Sequence, residues 1–414
     1  MLQVKNVGGG TGGGSFDVVN GVINDFLSSG ADIAANTFVE FVVGGSKGIF
    51  WAGNTFDISA VLLDSTHVMV CYRGNYSYGN SIILTISGTD ITKGTATVFN
   101  SSYTCYISAV KLDSTHVMVC YRDEGNGNYG TAQVLTVSGT SITAGTETVF
   151  KSVGIYNISA VMLDSTHVMV CYRDSGNSSY GTAQVLTVSG TSITTGAETV
   201  YYPGSSYSIS AVMLDSTHVM VCTYNASNGI AQLLTVSGTS ITAGTTTVFN
   251  DGTTDYISAV KLDSTHVMVC YQDGRNSSYG TAQVLTVSGT SITAGTETVF
   301  NTGITTKISA VMLDSTHVMV CYILSNGYGI TRVLTISGTS ITVGPPIEFN
   351  EIGTDSLTSL MLDSTHVMVC YQDIVSGTAR IIFDHSLAIK STNRIQGLTK
   401  TKCTSTVAGK VWTL

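Results

Sequence analysis

Proline is nearly absent, with three residues in 414, and charge is sparse at 11% of residues. The formal net charge of −9 leaves no basic patch of the kind that holds nucleic acid, so nucleic acid is not expected as a partner. No apolar run approaches the roughly 20 residues that span a bilayer as a helix, and no membrane insertion is expected. The first residues, MLQVKNVGGGTGGGS, lack a basic stretch followed by an apolar one. The expectation is synthesis in a cytoplasm without a secretory leader. No CxxC or CxxH pair occurs, nor a P-loop, an HExxH or a dinucleotide fingerprint, so neither a metal nor a cofactor is expected. Helical 3.6-residue periodicity is missing from residues 47–384, and coiled-coil heptads are missing as well.

What the chain does have is repetition. The decapeptide LDSTHVMVCY begins at Leu63, Leu112, Leu163, Leu262, Leu313 and Leu362. A seventh copy at Leu214 reads LDSTHVMVCTY, which looks like an insertion of Thr223 before Tyr224. The copies are 48 to 51 residues apart. A period near 50 in a chain rich in Thr, Ser, Val and Tyr indicates a small β unit repeated radially.

In the second copy, residues 107–112 alternate as a short strand, and Asp113-Ser114-Thr115 is a turn whose carboxylate can accept backbone N–H bonds. In the next strand Val117, Val119 and Tyr121 share one face, and His116, Met118 and Cys120 share the other. Both faces are largely apolar, as a strand between neighbouring sheets requires. Residues 131–137 form a third strand, Ser138-Gly139-Thr140 a hairpin, and residues 141–150 a fourth strand bent at Gly145. The fold class expected is all-β: a seven-bladed β-propeller of four-stranded antiparallel blades. Small N- and C-terminal segments, residues 1–46 and 385–414, lie outside a propeller of residues 47–384.

Ring closure is expected from residues 47–51, because Ile49-Phe50 falls where Val98-Phe99 falls one repeat later. Residues 386–392 compete for that place. Residues 16–27 suggest a short helix with Val19, Val22, Ile23, Phe26 and Leu27 on one face, and the two ends are expected to pack together. Seven of the nine cysteines occupy one repeat position and read as buried, reduced side chains. The recurring Asp, Ser and His invite comparison with a hydrolase triad, but adjacent residues of a tight turn do not adopt that geometry. The histidine is expected to pack or hydrogen-bond between blades.

The repeats differ mainly in two sets of loops that a meander places at one end. The loops between the second and third strands read GNYSYGN, DEGNGNYG, DSGNSSYG, YNASNG, DGRNSSYG, LSNGYG and DIVSG. The loops joining one repeat to the next vary as strongly. Both are rich in Tyr, Asn, Ser, Gly and Asp, which combine aromatic surface with adaptable hydrogen bonding. Candidate ligand-binding residues are therefore Tyr76, Tyr78, Asn126, Asn128, Tyr129, Asn177, Tyr180, Asn225, Asn228, Asp273, Arg275, Asn276, Tyr279 and Tyr328. No catalytic residue is assigned. If the chain were an enzyme, Asp123, Asp174 and Asp273 would be the acids to test.

The unit ISAVxLDSTHVMVCYRDxxxxxxYGTAQVLTVSGTSITAGTETVFN resembles propeller repeats of phage and prophage virion proteins, particularly tail-fibre-like and receptor-binding proteins. The resemblance spans residues 57–384. It implies a virion location, attachment to other virion proteins through the terminal segments, and contact with a host cell-surface glycan or receptor. It supplies no catalytic residues. The alternatives are a structural or decorative virion component and a polysaccharide-degrading enzyme. Homo-oligomerisation is left open.

Overall fold

The computed structural model describes residues 47–351 and 353–383, together with Val18–Val19 and Val22–Ile23. The chain divides into two compact units, Met1–Val43 with Phe383–Leu414, and Gly44–Ile382. In the first unit the two short strands pair antiparallel, Val18 with Ile23 and Val19 with Val22. The expected helix is therefore not formed at these residues. Three of the four are valine, and the intervening Asn20-Gly21 is a strong two-residue hairpin signal that outweighs the helical spacing. Residues 386–392 and the expected packing of the two ends lie outside the described residues.

In the second unit each repeat folds as an antiparallel meander. Repeat 2 shows the pattern: Thr104–Lys111, His116–Asp123, Tyr129–Ser138, then Ser141–Ala144 and the start of Thr148–Met162. His116 pairs with Thr136 and Asp123 with Tyr129, without a slip between. The tight hairpin after Ser138 needs a left-handed residue, and Gly139 supplies it at φ 60°, with open space where a β-carbon would stand. The fourth strand breaks at Gly145, whose N–H donates to Val134 O and whose carbonyl accepts from Gln133 Nε2. A β-carbon at Gly145 would stand 2.8 Å from that same Val134 oxygen, so glycine is required at the bend.

The first strand of every repeat touches the first strand of the next: Phe56–Leu62, Thr104–Lys111, Thr148–Met162, Tyr207–Met213, Thr254–Lys261, Thr298–Asp314 and Thr354–Asp363, which in turn touches Phe56–Leu62. This is the strand arrangement of a β-propeller. Inner strands have one unpaired edge, and a serine bridges it between neighbours. Ser59 Oγ accepts from Ala109 N, Ser108 Oγ from Ala160 N and Ser159 Oγ from Ala211 N, each at 3.0 Å. The Ile-Ser-Ala sequence of the first six inner strands thus has a structural use.

The core lies between repeats. Met69 and Cys71 of repeat 1 pack with Val117, Val119 and Tyr121 of repeat 2. Met118 and Cys120 pack in turn with Val168, Val170 and Tyr172. The two faces expected of the second strand are therefore used as predicted. The seven repeat cysteines are buried and free, and burial pushes the Cys71 and Cys120 thiols up to about 12. They are inert apolar filling. Beside them, the fourth-strand phenylalanine of one repeat meets the second-strand tyrosine of the next, as in Phe99–Tyr121, with ring centroids 5.3 Å apart. The glycine that follows the third-strand tyrosine makes room for this ring: a β-carbon at Gly130 would be 2.6 Å from Phe150.

Closure follows the same rule. Gly48–Trp51 pairs with Ser376–Phe383 as the fourth strand of repeat 7, with Gly48 opposite Ala379. Phe50 then meets Tyr72 at 5.4 Å and 62°, as Phe99 meets Tyr121. The expectation for residues 47–51 is borne out.

Two local expectations are corrected. Thr223 is not an insertion. Cys222, Thr223 and Tyr224 pair with Ala231, Ile230 and Gly229 in an unbroken ladder, so Thr223 holds the buried tyrosine position and Tyr224 the next one outward. The Thr223 hydroxyl donates to Tyr207 O at 2.8 Å, and the facing fourth-strand residue is Tyr201 instead of phenylalanine. The repeat histidine, in turn, hydrogen-bonds to the aspartate of its own turn. His116 Nδ1 lies 3.0 Å from Asp113 Oδ2, and Asp113 Oδ1 also accepts from Thr115 N and His116 N. Tight turns satisfy their own polar groups, which leaves the interface apolar.

Candidate functional site

Hydrogen bonds sort the loops onto two ends of the sheets. At one end the Asp-Ser-Thr turn meets the third strand, as in Val137 N to Thr115 O and Ile86 N to Thr66 O, both 2.7 Å. At the other end the two variable loop sets bond to each other: Glu124 N to Tyr103 O, Ile155 N to Asn128 O and Gly274 N to Thr253 O. The variable loops therefore form one face.

On this face each inner strand begins with a bulge. Its central residue is left-handed in every repeat: Asp57, Tyr106, Asn157, Ser208, Tyr256, Lys307 and Ser356, at φ 40° to 52°. Non-glycine residues in this region are strained, and such bulges redirect neighbouring side chains. The residue before each bulge faces the end of the second strand. These cross-strand pairs are Phe56–Arg73, Cys105–Arg122, Tyr156–Arg173, Tyr207–Tyr224, Asp255–Gln272, Thr306–Ile323 and Asp355–Gln372. Only the fifth and seventh, both Asp–Gln, are alike, although the residues around the pairs barely change.

In repeats 1 to 4 the pairs build a ladder of guanidinium groups between aromatic rings. Arg73 lies 4.6 Å from the Phe56 ring centroid and 4.9 Å from that of Tyr103. Arg122 lies over Tyr106 at 5.8 Å and Tyr156 at 4.5 Å. Arg173 sits between Tyr156 at 5.2 Å and Tyr207 at 4.3 Å. Tyr207 continues to Tyr224 at 6.0 Å. Such stacking fixes long arginine side chains and leaves ring faces and N–H groups side by side. Repeats 5 to 7 have a different character there: Lys307 Nζ is 3.8 Å from Asp355, and burial raises the Asp255 carboxyl above its ordinary range.

The residues expected from sequence divide into three groups. Tyr76 is 86% exposed and stacks with half-buried Tyr78 at 5.8 Å. Asn126, Asn177, Asn276, Arg275 and Tyr328 are also exposed, with Arg275 Nη2 3.2 Å from Glu297. Tyr129, Tyr180 and Tyr279 open their third strands and are half-buried. The rest shape loops. Asn128 accepts from Arg122 Nε and Nη2, and Asn225 accepts from Ser227 N and Asn228 N while donating to Tyr202 OH. The Asn228 amide, oriented to suit its neighbours, donates to Asp251 at 3.0 Å.

Asp273 is a correction. It is 1% exposed, accepts from Arg275 N and Asn250 Nδ2, and caps its loop from inside. Asp123 and Asp174 do the same for Gly125 N and Gly176 N, and Asp174 also pairs with Lys151 at 2.8 Å. Three buried caps on three repeats make no acid–base pair for glycoside hydrolysis. Among the described residues, no cluster of three or more His, Cys, Asp or Glu side chains is arranged to hold a metal.

The ladder itself was missed. Its signal was present: the column after Cys-Tyr reads Arg, Arg, Arg and then changes, and the column before the bulge carries Phe56, Tyr156 and Tyr207. The two columns are far apart in sequence and meet only through strand pairing.

No family model matches the chain, and no curated protein does. Among solved structures it is similar to AofleA from Arthrobotrys oligospora, 11% identical with a TM-score of 0.48 over 74% of this chain and 94% of that one. It is also similar to the Aleuria aurantia lectin, a fungal lectin with a six-bladed β-propeller fold and a novel fucose recognition mode. That lectin is 16% identical, with a TM-score of 0.46 over 73% of this chain and 99% of that one. A third is the SapL1 lectin in complex with alpha methyl fucoside, 15% identical, TM-score 0.45, covering 71% and 97%. Likeness this distant carries no ligand from those proteins to this one.

Proposed function

We propose that the seven repeats are seven blades of one closed ring, and that the protein is a non-enzymatic glycan-binding module. The observation that carries this reading is the arginine–aromatic ladder of repeats 1 to 4. Flat ring faces suit the apolar faces of sugars, and fixed guanidinium and amide groups suit their hydroxyls. The ladder stands on a body that hardly varies between repeats, which is how a rigid scaffold presents recognition residues. The resemblance of the repeat unit supports a virion, on a phage tail or tail-like particle, as the setting. There the glycan would belong to a host bacterial surface, and the terminal segments would attach the module to other virion proteins.

The test is a pull-down of the tagged protein on intact cells and isolated walls of candidate hosts. Saturable binding, competed by soluble wall glycan and weakened by Tyr156→Ala and Tyr207→Ala without loss of folding, is expected. Absence of binding to every host the particle infects would refute it. The nearly uniform Asp-Ser-Thr and Ser-Gly-Thr turns of the opposite face favour a second reading, a structural virion component. That reading predicts particles that assemble poorly without the protein.

A further inference from the structure

The three ladder arginines are chemically equivalent in position and unequal in charge balance. Arg73 Nε donates to Asp57 Oδ2 at 3.0 Å. Arg122 Nη2 donates to Glu124 Oε1 at 2.7 Å. Arg173 has no acidic partner among the described residues. Among the described residues its side chain makes one hydrogen bond, from Nη2 to Ser179 Oγ at 3.0 Å, and its Nε–H is closed to water and meets no acceptor there.

The cause can be read from the repeat alignment. Asn128, which holds Arg122 Nε, becomes the shorter Ser179, and Glu124 becomes Ser175. Asp57, which holds Arg73, becomes Asn157. The nearest carboxylate in sequence, Asp174, is already engaged by Lys151 at 2.8 Å, and Lys151 also takes Glu198 at 2.6 Å. A half-buried guanidinium with an unmet donor is costly to keep, because an unsatisfied buried polar group loses its hydration without return. Arg173 is nevertheless held in place by two rings, Tyr156 and Tyr207. A stacked arginine with its donors uncommitted is pre-organised for an incoming anion.

We infer that Arg173, between Tyr156 and Tyr207, receives a compact oxyanion carried by the glycan, a sugar carboxylate or a phosphodiester. The inference rests on the proposed reading that this face binds saccharide, and it names the class of saccharide. The sugar ring bearing the anion lies against the tyrosines, and the oxyanion takes the place that Glu124 holds beside Arg122.

The experiment measures binding of the full chain to three immobilised polymers, at low and high salt: polygalacturonate for carboxylate, poly(glycerol phosphate) for phosphodiester, and neutral galactan as the uncharged control. Two variants are compared with the wild type. Arg173→Gln removes the charge. Ser179→Asp keeps the arginine and places a carboxylate beside it, at a left-handed position that aspartate tolerates (φ 65°). Losing a charge-assisted bond should weaken binding about tenfold or more.

The expected result is salt-sensitive binding to at least one anionic polymer, reduced to that extent in both variants at unchanged melting temperature. Which polymer binds decides between the two anion sources. If Arg173→Gln fails to fold, Ser179→Asp alone decides. No binding to either anionic polymer, or binding that the variants leave intact, overturns the inference. Binding to host walls that persists in both variants removes the oxyanion and keeps the glycan reading. Failure on walls and on all three polymers removes both.

Discussion

Phe50 is the side chain on which closure of the ring depends. It belongs to a four-residue strand, Gly48–Trp51, that the chain forms before the first repeat and lends to the last. Its ring is 1% exposed, stacks on Tyr72 and lies against Gly377, where a β-carbon would be 2.5 Å away. Burying a phenylalanine contributes about 1.5–3 kcal/mol, and an edge-to-face aromatic pair about 0.5–1.5 more. The sum agrees with the roughly 3–5 kcal/mol measured for Phe→Ala in cores. Phe50→Ala and Phe249→Ala should therefore cost similar amounts, since Phe249 meets Tyr271 at 5.2 Å in the same way. They should differ in consequence. Phe249 sits in a strand continuous with its own sheet, whereas loss of Phe50 frees a strand that no hairpin ties to its neighbour. That exposes the edge of Ser376–Phe383, and exposed edges recruit other chains. Urea unfolding followed by Trp51 fluorescence reads the cost, because Trp51 lies 5.6 Å from Tyr72. Light scattering reads the edge. A Phe50→Ala protein that stays monomeric and loses less than about 1 kcal/mol would refute the closure argument, since such a loss is far below that of a core aromatic.

Two further predictions concern other parts of the ring. Thr223→Tyr should overpack the space beside Tyr201 and destabilise by about 1–3 kcal/mol, and adding Tyr201→Phe should recover most of it by restoring the pair found in the other repeats; a stabilising Thr223→Tyr single variant would contradict this. The turn aspartates set an acid limit. Asp64 and Asp164 are held at about 2, below the ordinary 3.8, first by the backbone N–H of Thr66 or Thr166 and also by the adjoining hydroxyl and histidine. Because the folded value is the lower one, their stabilisation is complete above pH 3.8 and is lost as pH falls through about 2. Melting temperature should therefore drop over that window, and less steeply in the Asp64→Asn/Asp164→Asn double variant; equal slopes would assign the acid sensitivity elsewhere.

The residues that repeat announced the fold. Period-two alternation in His-Val-Met-Val-Cys-Tyr needs two apolar surroundings, and only sheets packed on both sides supply them. The same internal comparison located the closing strand, because Phe50 fell in the phenylalanine column, and it marked the variable loops as one face. Sequence alone misread Thr223, since an extra letter in an aligned motif looks like an insertion until the ladder shows which residue opposes Ala231. It also cast Asp273 as a ligand, although a loop aspartate turns inward when backbone N–H groups need an acceptor there.

Seven inert cysteines, the turn chemistry and the alternating faces are local facts, set by composition and period. Arg173 is different. Its neighbours Tyr156 and Tyr207 come from two inner strands, and Ser179 from a loop. Only the ring brings them within stacking and hydrogen-bonding reach. Whether an arginine is neutralised or left with donors to offer depends on distances across strands and repeats. Those distances belong to the tertiary structure, because charge and hydrogen bonding act over a few ångströms of space and not along the chain.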